Sequence, residues 1–379
     1  MKIALEIQPV LKDKTGVGWY TQKLIEHLPD EALEYEGLGF NFLGRNSIQQ
    51  ALDAIPLKTK ICKLIPYGLY RRLWRFIPVS YNALFDSNAD VFHFFNYIVP
   101  YNIKGKVVVT VYDMVYKLFP ETMDKRNYVR LERELKRSVE RADVVVTISQ
   151  NSKKEIVDIL NIEESKVEII YPGVEMDRFR KEYTDKQITD VRKKYRLPSK
   201  YLLYLGTLEP RKNIISIIKA YQEFISKNDD EISLVLAGKK GWMYNNIFET
   251  VKKLNLENRV NFTGYIDEKD KPLIYKMAEA FIYPSLYEGF GMPLLEAMAA
   301  GIPVIVSETS SLPEVAGNAG VFVNPYDIEE ITNAIERVVY DLDFKTQIIK
   351  KGLRQCRKFS WEKSAKKLVS IYKKLGGLE

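Results

Sequence analysis

Short runs of β-branched and other apolar residues alternate with amphipathic stretches along both halves of the chain. In the first half the clearest runs are Ile3–Ile7, Val107–Val111, Val144–Ile148 and Val167–Tyr171. In the second half they are Tyr201–Leu205, Ser233–Ala237, Val260–Phe262, Ala280–Tyr283 and Pro303–Val306. Strands that alternate with helices are typical of a parallel sheet covered by helices on both faces. The sequence therefore predicts two doubly wound α/β units.

The length of the chain supports two domains, because 379 residues exceed what one hydrophobic core usually holds together. The connection between them is predicted in the charged stretch Glu175–Arg196, directly after Tyr171-Pro172-Gly173-Val174. No apolar stretch is long enough to cross a bilayer, and the first residues read as a buried strand rather than a signal peptide. We therefore expect a cytoplasmic protein in which Cys62 and Cys356 are reduced thiols.

One segment of the second half reads as strand, glycine loop, short helix and strand. Pro293 suits the start of a helix and Gly301 its end, so the helix is predicted to begin directly after Gly291. In an open parallel sheet such a helix start lies at the ligand-binding edge, where its free N–H groups suit a phosphate or a sugar oxygen. Two carboxylates, Glu288 and Glu296, are separated here by seven residues.

This spacing resembles the E-x7-E motif of the retaining, GT-B-fold glycosyltransferases of family 4, and the resemblance extends over nearly the whole chain. It implies a GT-B fold, in which two Rossmann-like doubly wound domains face each other across a cleft. Residues 1–180 together with 360–379 would form the acceptor-side domain, and residues 181–359 the nucleotide-sugar-binding domain. The stretch Phe359-Ser360-Trp361-Glu362 resembles the start of the family's last helix, which returns to the first domain.

The resemblance also assigns roles to the residues of the glycine loop. Glu288 is expected to act beside the transferred sugar, and Glu296 to hold the ribose of the nucleotide. A carboxylate accepts two hydroxyl hydrogen bonds, which suits both roles. Backbone contacts to the donor are expected from Gly289, Phe290, Gly291 and Met292. The alternative is that Glu288 is a surface charge of a loop and Glu296 a solvated helix residue.

A second strand end carries the basic pair Arg211-Lys212, in a loop that opens at Gly206. In similar enzymes an arginine and a lysine at this point bind the donor diphosphate, and the resemblance carries that catalytic role to this pair. Breaking the anomeric bond leaves negative charge on the departing diphosphate, so fixed cations lower the barrier. Tyr265, in the loop after another strand, is expected near the nucleotide base. A solvated basic pair is the alternative interpretation.

The first half contributes candidates of its own. Similar enzymes place a glycine turn such as Gly16-Val17-Gly18 against the donor phosphates, and a plain tight turn is the alternative. Tyr112-Asp113 stands where the family has a His-Asp pair. Asp113 is therefore a candidate catalytic and acceptor-side residue, whereas Tyr112 supplies a hydroxyl or packs against the sugar. His93 is either a further acceptor-side residue or a packing residue.

Neither a metal ion nor a cofactor is expected. Asp341-Leu342-Asp343 matches the Asp-x-Asp motif of metal-dependent glycosyltransferases of another fold. It follows a helical run and not a buried strand, however, which favours a solvated helix end. The two histidines and two distant cysteines of the chain give no zinc-binding pattern.

The net charge of +7 favours an anionic partner. Six cationic residues and no acidic one lie between Lys58 and Arg75, interleaved with apolar residues that include Trp74. This pattern predicts peripheral contact of residues 58–76 with the inner face of the plasma membrane, because cations attract anionic headgroups and aromatic rings enter the interface. A solvated helix that covers the domain core is the alternative. No nucleic-acid-binding module is recognisable, so no nucleic-acid partner is expected.

Taken together, these patterns predict a retaining hexosyltransferase. The stretch Gly206–Asn213 resembles bacterial mannosyltransferases of polysaccharide assembly. The expected reaction therefore moves mannose from GDP-mannose to a hydroxyl of a saccharide or polyprenyl-linked acceptor, with other nucleotide hexoses as alternatives. A sugar nucleotide epimerase of similar fold and a non-catalytic scaffold subunit stay open. A Rossmann dehydrogenase is disfavoured, because no compact G-x-G-x-x-G turn follows the first strand.

Overall fold

The computed structural model describes residues 1–11, 14–29, 33–44, 46, 48–74, 76, 80–228 and 231–378. The strands are, in chain order, β1 (Lys2–Glu6), β2 (Glu34–Phe40), β3 (Lys58–Cys62), β4 (Val91–Phe94), β5 (Lys106–Thr110), β6 (Val144–Thr147), β7 (Val167–Ile169), β8 (Tyr201–Leu205), β9 (Ser233–Ala237), β10 (Val260–Gly264), β11 (Ala280–Tyr283), β12 (Val304–Ser307) and β13 (Gly320–Val323). Every strand predicted above is present, with ends that differ by at most two residues.

Helices form most of the connections between these strands. They are α1 (Gly16–Glu26), α2 (Gln49–Asp53), α3 (Tyr67–Leu73), α4 (Tyr81–Leu84), α5 (Val115–Leu118), α6 (Lys125–Arg141), α7 (Gln150–Leu160), α8 (Met176–Arg180), α9 (Asp185–Tyr195), α10 (Ile214–Asn228), α11 (Asn245–Lys253), α12 (Lys271–Lys276), α13 (Met292–Ala299), α14 (Leu312–Ala316), α15 (Ile328–Tyr340), α16 (Leu342–Cys356) and α17 (Trp361–Leu375). Among the described residues, no helix combines the length and the apolar character needed to cross a bilayer.

The chain divides into two compact units. The first consists of Met1–Leu118, Lys125–Gly173 and Ser360–Glu379, and the second of Phe119–Asp124 and Val174–Phe359. The chain thus enters the second unit at Val174, before the boundary at residue 180 that the sequence predicts.

The side chain of Phe179 accounts for this difference at the boundary. Phe179 lies on α8 and is buried in the second unit, with its ring centroid 6.0 Å from that of Tyr275. Because α8 packs on α12 in this way, it belongs to the second unit although it directly follows the connection.

The first unit contains a parallel sheet in the order β3-β2-β1-β4-β5-β6-β7. Its centre is apolar on both faces, as in the run Val107–Val109, where every side chain is buried. Such continuous apolar runs are expected for a sheet that helices cover on both sides. The strand order changes direction between β1 and β4, which makes the carboxyl ends of these two strands the edge where open α/β sheets bind ligands.

The basic stretch that begins at Lys58 is not one helix. Its first part is the edge strand β3, and its later part is the short helix α3. Trp74 is buried, with its ring 5.9 Å from that of Tyr70 and 6.2 Å from that of Tyr101. Trp74 is therefore not available to enter a membrane interface, because its ring packs inside the unit. Arg75 lies outside the described residues.

The second unit contains a parallel sheet in the order β10-β9-β8-β11-β12-β13. The strand order changes direction between β8 and β11, so the loops after Leu205 and Tyr283 meet at the ligand-binding edge. Tyr201–Leu205 is buried at every position, and α10 buries its apolar side, which packs on α15 and α11. This packing fixes the two loops that carry the predicted donor-binding residues.

Candidate functional site

Three predicted site residues meet at the switch point of the second sheet. Lys212 Nζ lies 2.5 Å from one carboxylate oxygen of Glu288, and Arg211 Nη1 lies 3.2 Å from the other. Arg211 Nη1 also donates to the Tyr287 carbonyl at 2.6 Å. All these groups are buried or half-buried, so the structure places two cations and one carboxylate in a single protected cluster.

The loop after β8 presents the two cations because of its local sequence. Pro210 begins a single turn of 3-10 helix, Pro210–Lys212, and Asn213 ends it with a left-handed backbone at φ 56°. The Asn213 side chain donates to the Pro284 carbonyl at 3.1 Å, which ties this loop to the end of β11. The basic pair is thus held against the glycine loop by the backbone and by one amide side chain.

The charges of the cluster fix the ionisation state of its carboxylate. Burial opposes the ionisation of Glu288, but Lys212 and Arg211 outweigh it and lower the pKa of this carboxyl to about 2. Burial and the adjacent Arg211 lower the pKa of Lys212, whereas Glu288 works against that shift. We conclude that Glu288 is an anion at neutral pH and is the counterion of both cations.

Two further residues complete this cluster and were not predicted from the sequence. Glu209 Oε1 lies 2.7 Å from Arg211 Nη2, and Tyr283 accepts a hydrogen bond from Lys212 Nζ at 3.1 Å. The sequence could have indicated both residues, because Glu209 stands two residues before Arg211 and Tyr283 is the last residue of β11.

The glycine loop leads into α13 as predicted. Gly291 precedes the helix with φ +98°, Pro293 is its second residue, and Gly301 follows its end with φ +77°. Glu288 is anchored in this loop by two serines, since its N–H donates to Ser310 Oγ at 2.9 Å and its carbonyl accepts from Ser311 Oγ at 2.8 Å. The start of α13 therefore opens next to a carboxylate of fixed position.

The other residues of the loop differ in exposure. Gly289 and Phe290 are buried, and the ring of Phe290 packs on Phe359 at 5.4 Å between centroids. Met292 is half-buried. Any contact of Phe290 with a donor would have to come from its backbone, because its side chain faces the core.

Glu296 occupies a separate set of contacts on α13. Tyr275 donates to its Oε2 at 3.0 Å, and Lys271 Nζ lies 3.7 Å from its Oε1. Burial and the neighbouring Glu268 raise the pKa of Glu296, with Lys271 opposing the shift. Glu296 and Glu288 thus stand on the same loop-and-helix segment but with different partners and opposite pKa shifts.

Two more residues predicted to contact the donor lie at the same edge of the second sheet. Gly206 follows β8, and its carbonyl contacts Gly238 so closely that any side chain at position 238 would overlap it. Tyr265 follows β10, is about half exposed, and stacks under the Lys239 ammonium at 4.7 Å.

The first group of candidates in the first unit consists of Gly16, Gly18 and Tyr112. Gly16 is the first residue of α1, and Gly18 in the same turn approaches the Pro9 carbonyl so closely that a Cβ would lie 2.6 Å from it. Tyr112 is buried between Tyr20 and Tyr97, with ring centroids 5.4 and 5.5 Å away. These residues lie at the carboxyl edge of the first sheet.

Asp113 and His93 differ in accessibility. Asp113 is half-buried and accepts a hydrogen bond from the Val115 N–H at 3.2 Å, just ahead of α5. His93 is completely buried in β4, where its Nδ1 bonds to the Tyr372 hydroxyl at 2.6 Å and its Nε2 to Thr110 Oγ1 at 2.8 Å. Burial lowers the pKa of His93 to about 3. The structure therefore does not bring His93 to an acceptor-side surface, and the packing interpretation fits it.

Asp341 acts as a helix cap. Its carboxylate accepts from the Phe344 N–H at 2.9 Å at the start of α16. This contact is the usual role of an aspartate at a helix N-terminus.

Comparison with known proteins gives matches over both units. The family model described as "Glycosyltransferase Family 4" matches residues 14–178, and that described as "Glycosyl transferases group 1" matches residues 186–355. The O-antigen chain mannosyltransferase B of Escherichia coli is 30% identical over 388 residues, which cover 99% of this chain and 100% of that protein.

Solved structures of similar fold cover the whole chain. Sucrose-phosphate synthase from Thermosynechococcus elongatus is 21% identical with a TM-score of 0.76, over 100% of both chains. The Anabaena protein HepE in complex with UDP-glucose is 16% identical with a TM-score of 0.74, over 99% of this chain and 100% of that one. At these identities the likeness concerns the fold.

Proposed function

The chain belongs to glycosyltransferase family 4 and has the GT-B fold, and from this premise we propose that it transfers mannose from GDP-mannose, with retention, to a saccharide or lipid-linked oligosaccharide of cell-surface polysaccharide assembly. The observation that carries the proposal is the buried cluster of Arg211, Lys212 and Glu288 beside the start of α13. The mannosyl donor is inferred from the E. coli relative, which is a mannosyltransferase by name.

The cluster is suited to a nucleotide diphosphate sugar. Arg211 and Lys212 are balanced by Glu209 and Glu288 in the structure, and a diphosphate would compete with these carboxylates for the same two cations. The start of α13 adds the positive end of a helix dipole, which favours a negatively charged group. We propose that these protein groups, without a metal ion, neutralise the charge that grows on the leaving diphosphate.

In the proposed transfer the bond between the anomeric carbon and the phosphate oxygen breaks, and its electron pair leaves with the diphosphate. The acceptor hydroxyl attacks from the same face, and its proton passes to the departing phosphate oxygen. Glu288, an anion held by Lys212, accepts hydrogen bonds from the sugar hydroxyls and stabilises the positive charge on the sugar. Asp113 is the proposed acceptor-side group of the first unit, and Glu296 the proposed ribose ligand.

Substitution of the cluster tests this assignment. Arg211→Ala and Lys212→Ala should each lower kcat about 100- to 1,000-fold, the usual cost of removing one group that stabilises transition-state charge. Glu288→Gln should also lower kcat, and it should weaken donor binding less than the two alanine variants do. Lys219→Ala, an exposed lysine on α10, is the matched control and should keep full activity. Unchanged turnover in all three cluster variants would remove the site assignment.

Donor identity and stereochemistry need separate measurements. GDP should raise the melting temperature more than UDP or ADP, because a ligand that binds the native form stabilises it. With GDP-α-mannose and retention, the product linkage seen by NMR should be α. UDP-glucose is the competing donor, since HepE binds it, and preferential turnover of UDP-glucose or a β-linked product would contradict the proposal.

The epimerase and scaffold alternatives predict other products. An epimerase would convert the nucleotide sugar without any acceptor, and a scaffold would turn over no donor at all. Incubation with and without acceptor, followed by product analysis, separates the three functions.

We propose in addition that the surface around α3 contacts anionic lipid. Four apolar side chains here are exposed, Leu64 (84%), Leu69, Leu73 and Phe76 (80%). Lys63 and Arg72 are exposed beside them, and the stretch carries no acidic residue. Apolar side chains next to cations suit the interface of a membrane with anionic headgroups.

Sedimentation with vesicles tests this surface. The protein should sediment with anionic vesicles at low salt and release at high salt, because the cations are screened. Leu64→Ser combined with Phe76→Ser should reduce binding, whereas Leu342→Ser, an exposed leucine of the second unit, should not. Equal binding of the double variant, or none by the wild type, would refute the membrane contact.

A further inference from the structure

A polar cluster lies at the ligand-binding edge of the first sheet and uses none of the proposed donor-binding residues. Its centre is Glu6, the last residue of β1, which is only 5% exposed. β1 neighbours β4 at the point where the strand order changes direction. Open α/β sheets bind ligands at this point, so the charges around Glu6 indicate what kind of ligand would fit.

Two arginines approach this position from different helices. Arg71 of α3 has its guanidinium 5.2 Å from the ring centroid of Tyr67. Burial and, next, the like charge of Arg71 lower the pKa of Arg130, which comes from α6. In the part of the chain that the structure describes, neither guanidinium has a carboxylate within ion-pair distance, and Arg130 Nε is buried without a hydrogen-bond partner.

Glu6 does not balance these two cations. The Tyr67 hydroxyl lies 3.5 Å from Glu6 Oε1 and donates to it. Burial raises the pKa of Glu6 to about 8, although Arg71 and Tyr67 oppose the shift. The carboxyl is therefore mostly protonated at neutral pH, and the cluster keeps an excess of positive charge. Tyr67, Arg71 and Arg130 are only half-buried, so a solute can reach them.

We infer that Arg71 and Arg130 bind a phosphoryl group of the acceptor, and that Tyr67 and Glu6 bond to hydroxyls of the sugar attached to it. This inference rests on the proposed function, because it takes the acceptor to lie on the first unit. A guanidinium forms two parallel hydrogen bonds to a phosphoryl group, and two guanidiniums match a phosphate or diphosphate. The ligand class is a glycosyl phosphate or diphosphate, either free or attached to a lipid.

Equilibrium binding to the wild type and to the Arg71→Gln, Arg130→Gln double variant tests the inference. The probes are decyl diphosphate-linked mannose, mannose 1-phosphate, inorganic pyrophosphate and decyl mannoside, each followed by calorimetry. Every titration contains saturating GDP, which occupies the proposed donor site at Arg211 and Lys212, so that the probes report on the first unit. The wild type should bind the diphosphate-linked mannose at least about tenfold more tightly than decyl mannoside, as expected for charge-assisted hydrogen bonds. The double variant should lose this preference.

The other probes separate the sources of the phosphoryl group. Equal binding of mannose 1-phosphate would point to a soluble sugar phosphate, and much tighter binding of the decyl diphosphate to a lipid-linked acceptor. Either result supports the phosphoryl subsite, provided that the double variant weakens it.

Controls distinguish the subsite from folding and from the transfer reaction. Arg137→Gln, an exposed arginine on α6, should bind all probes as the wild type does. If the double variant does not fold, Arg130→Lys decides, since lysine keeps the charge but cannot form the paired hydrogen bonds. A wild type without preference, or a folded variant that keeps it, overturns the inference.

Donor binding measured in parallel keeps the two proposals apart. A protein that prefers the phosphoryl probes but turns over no donor would refute the proposed function alone. A protein that transfers mannose equally well to phosphorylated and unphosphorylated acceptors would refute the subsite alone.

Discussion

Two buried carboxyl groups of this protein have pKa values that differ by several units. Burial raises the pKa of Glu6 to about 8 against the opposition of Arg71. Burial also acts on Glu288, but there Lys212 and Arg211 outweigh it and lower the pKa to about 2. Glu288 has two cations within ion-pair distance and Glu6 has none among the described residues. The contact with cations, and not burial itself, decides which carboxyl is an anion.

We predict that Glu6 makes stability fall with rising pH. Both the folded and the unfolded chain hold its proton below pH 4.5, whereas only the folded chain holds it between 4.5 and about 8. The free energy of unfolding should therefore decrease across this window relative to Glu6→Gln, by up to about 1.4 kcal/mol per pH unit. Urea denaturation of both proteins at pH 5, 6, 7 and 8 measures the difference.

Glu288→Gln is the matched comparison, because its shift has the opposite sign. The wild type should lose stability relative to this variant as the pH falls from 4.5 towards 2, and should show no such trend above 4.5. If the free energies of unfolding of the wild type and of Glu6→Gln change in parallel between pH 5 and 8, the prediction for Glu6 is contradicted.

At the residue scale, the sequence indicates which side chains meet where a motif places them at the ends of neighbouring strands. Arg211, Lys212 and Glu288 were expected at one site, and the structure brings them together. The cluster of Glu6, Arg71 and Arg130 was not expected. It depends on how a strand and two helices from distant segments pack, which no local pattern contains.

At the scale of elements, the start of α13 depends on one glycine. Gly291 has a left-handed backbone at φ +98°, and a Cβ there would lie 2.7 Å from Leu312 Cδ2. Gly301, at the other end of the same helix, is also left-handed, but nothing lies within 4 Å of its Cβ position. The two positions therefore separate backbone strain from steric contact.

We predict that Gly301→Ala costs about 1 kcal/mol of stability, the usual penalty of a left-handed alanine. Gly291→Ala should cost more, because α13 or Leu312 must also move, and it alone should weaken donor binding. Thermal unfolding and donor titration of both variants measure this. If the two variants lose the same stability and the same donor affinity, the contact with Leu312 has no consequence.

Most of the strands that the sequence predicts are apolar on both faces. The runs that became β5 and β8 are examples. β2 was missed because its sequence, EYEGLGF, contains two acidic residues and two glycines. Both glycines lie against neighbouring side chains, since a Cβ at Gly39 would lie 2.6 Å from Leu11 Cδ1 and one at Gly37 3.2 Å from Ile7 Cδ1. The segment after β1 covers this part of the sheet, and a local pattern cannot show that.

At the scale of the whole molecule, the first unit is completed by the last segment of the chain. Trp361 packs on Tyr20, with 5.8 Å between ring centroids, and Tyr372 bonds to the buried His93. Gly173 contacts the Trp361 backbone so closely that a side chain at position 173 would overlap it. α17 is therefore part of the core of the first unit.

We predict that a chain truncated before Ser360 loses the cooperative folding of the first unit, because large buried side chains disappear from its core. Limited proteolysis should then cut within residues 1–173 and spare residues 174–359. Truncation after Gly377 is the control and should leave the proteolysis pattern unchanged. A protease-resistant first unit in the truncated chain would contradict this prediction.

The GT-B fold expected from the sequence is confirmed by the two sheets and by the similar structures. The division of the chain was less predictable in detail. Phe119–Asp124 belongs to the second unit, where Trp242 donates to the Thr122 carbonyl at 2.6 Å and Phe119 packs on Tyr287. These six residues lie between two helices of the first unit, and nothing in their composition predicts a contact with the second unit.

The return of α17 to the first unit also sets an order of events on the ribosome. Residues 1–173 emerge first, yet their core lacks Trp361 and Tyr372 until residues 174–359 have been synthesised. At common translation rates that interval lasts roughly 10 to 40 seconds. During this time the nascent first unit exposes apolar surface that chaperones can bind, while the second unit, continuous apart from one short segment, is free to fold ahead of it.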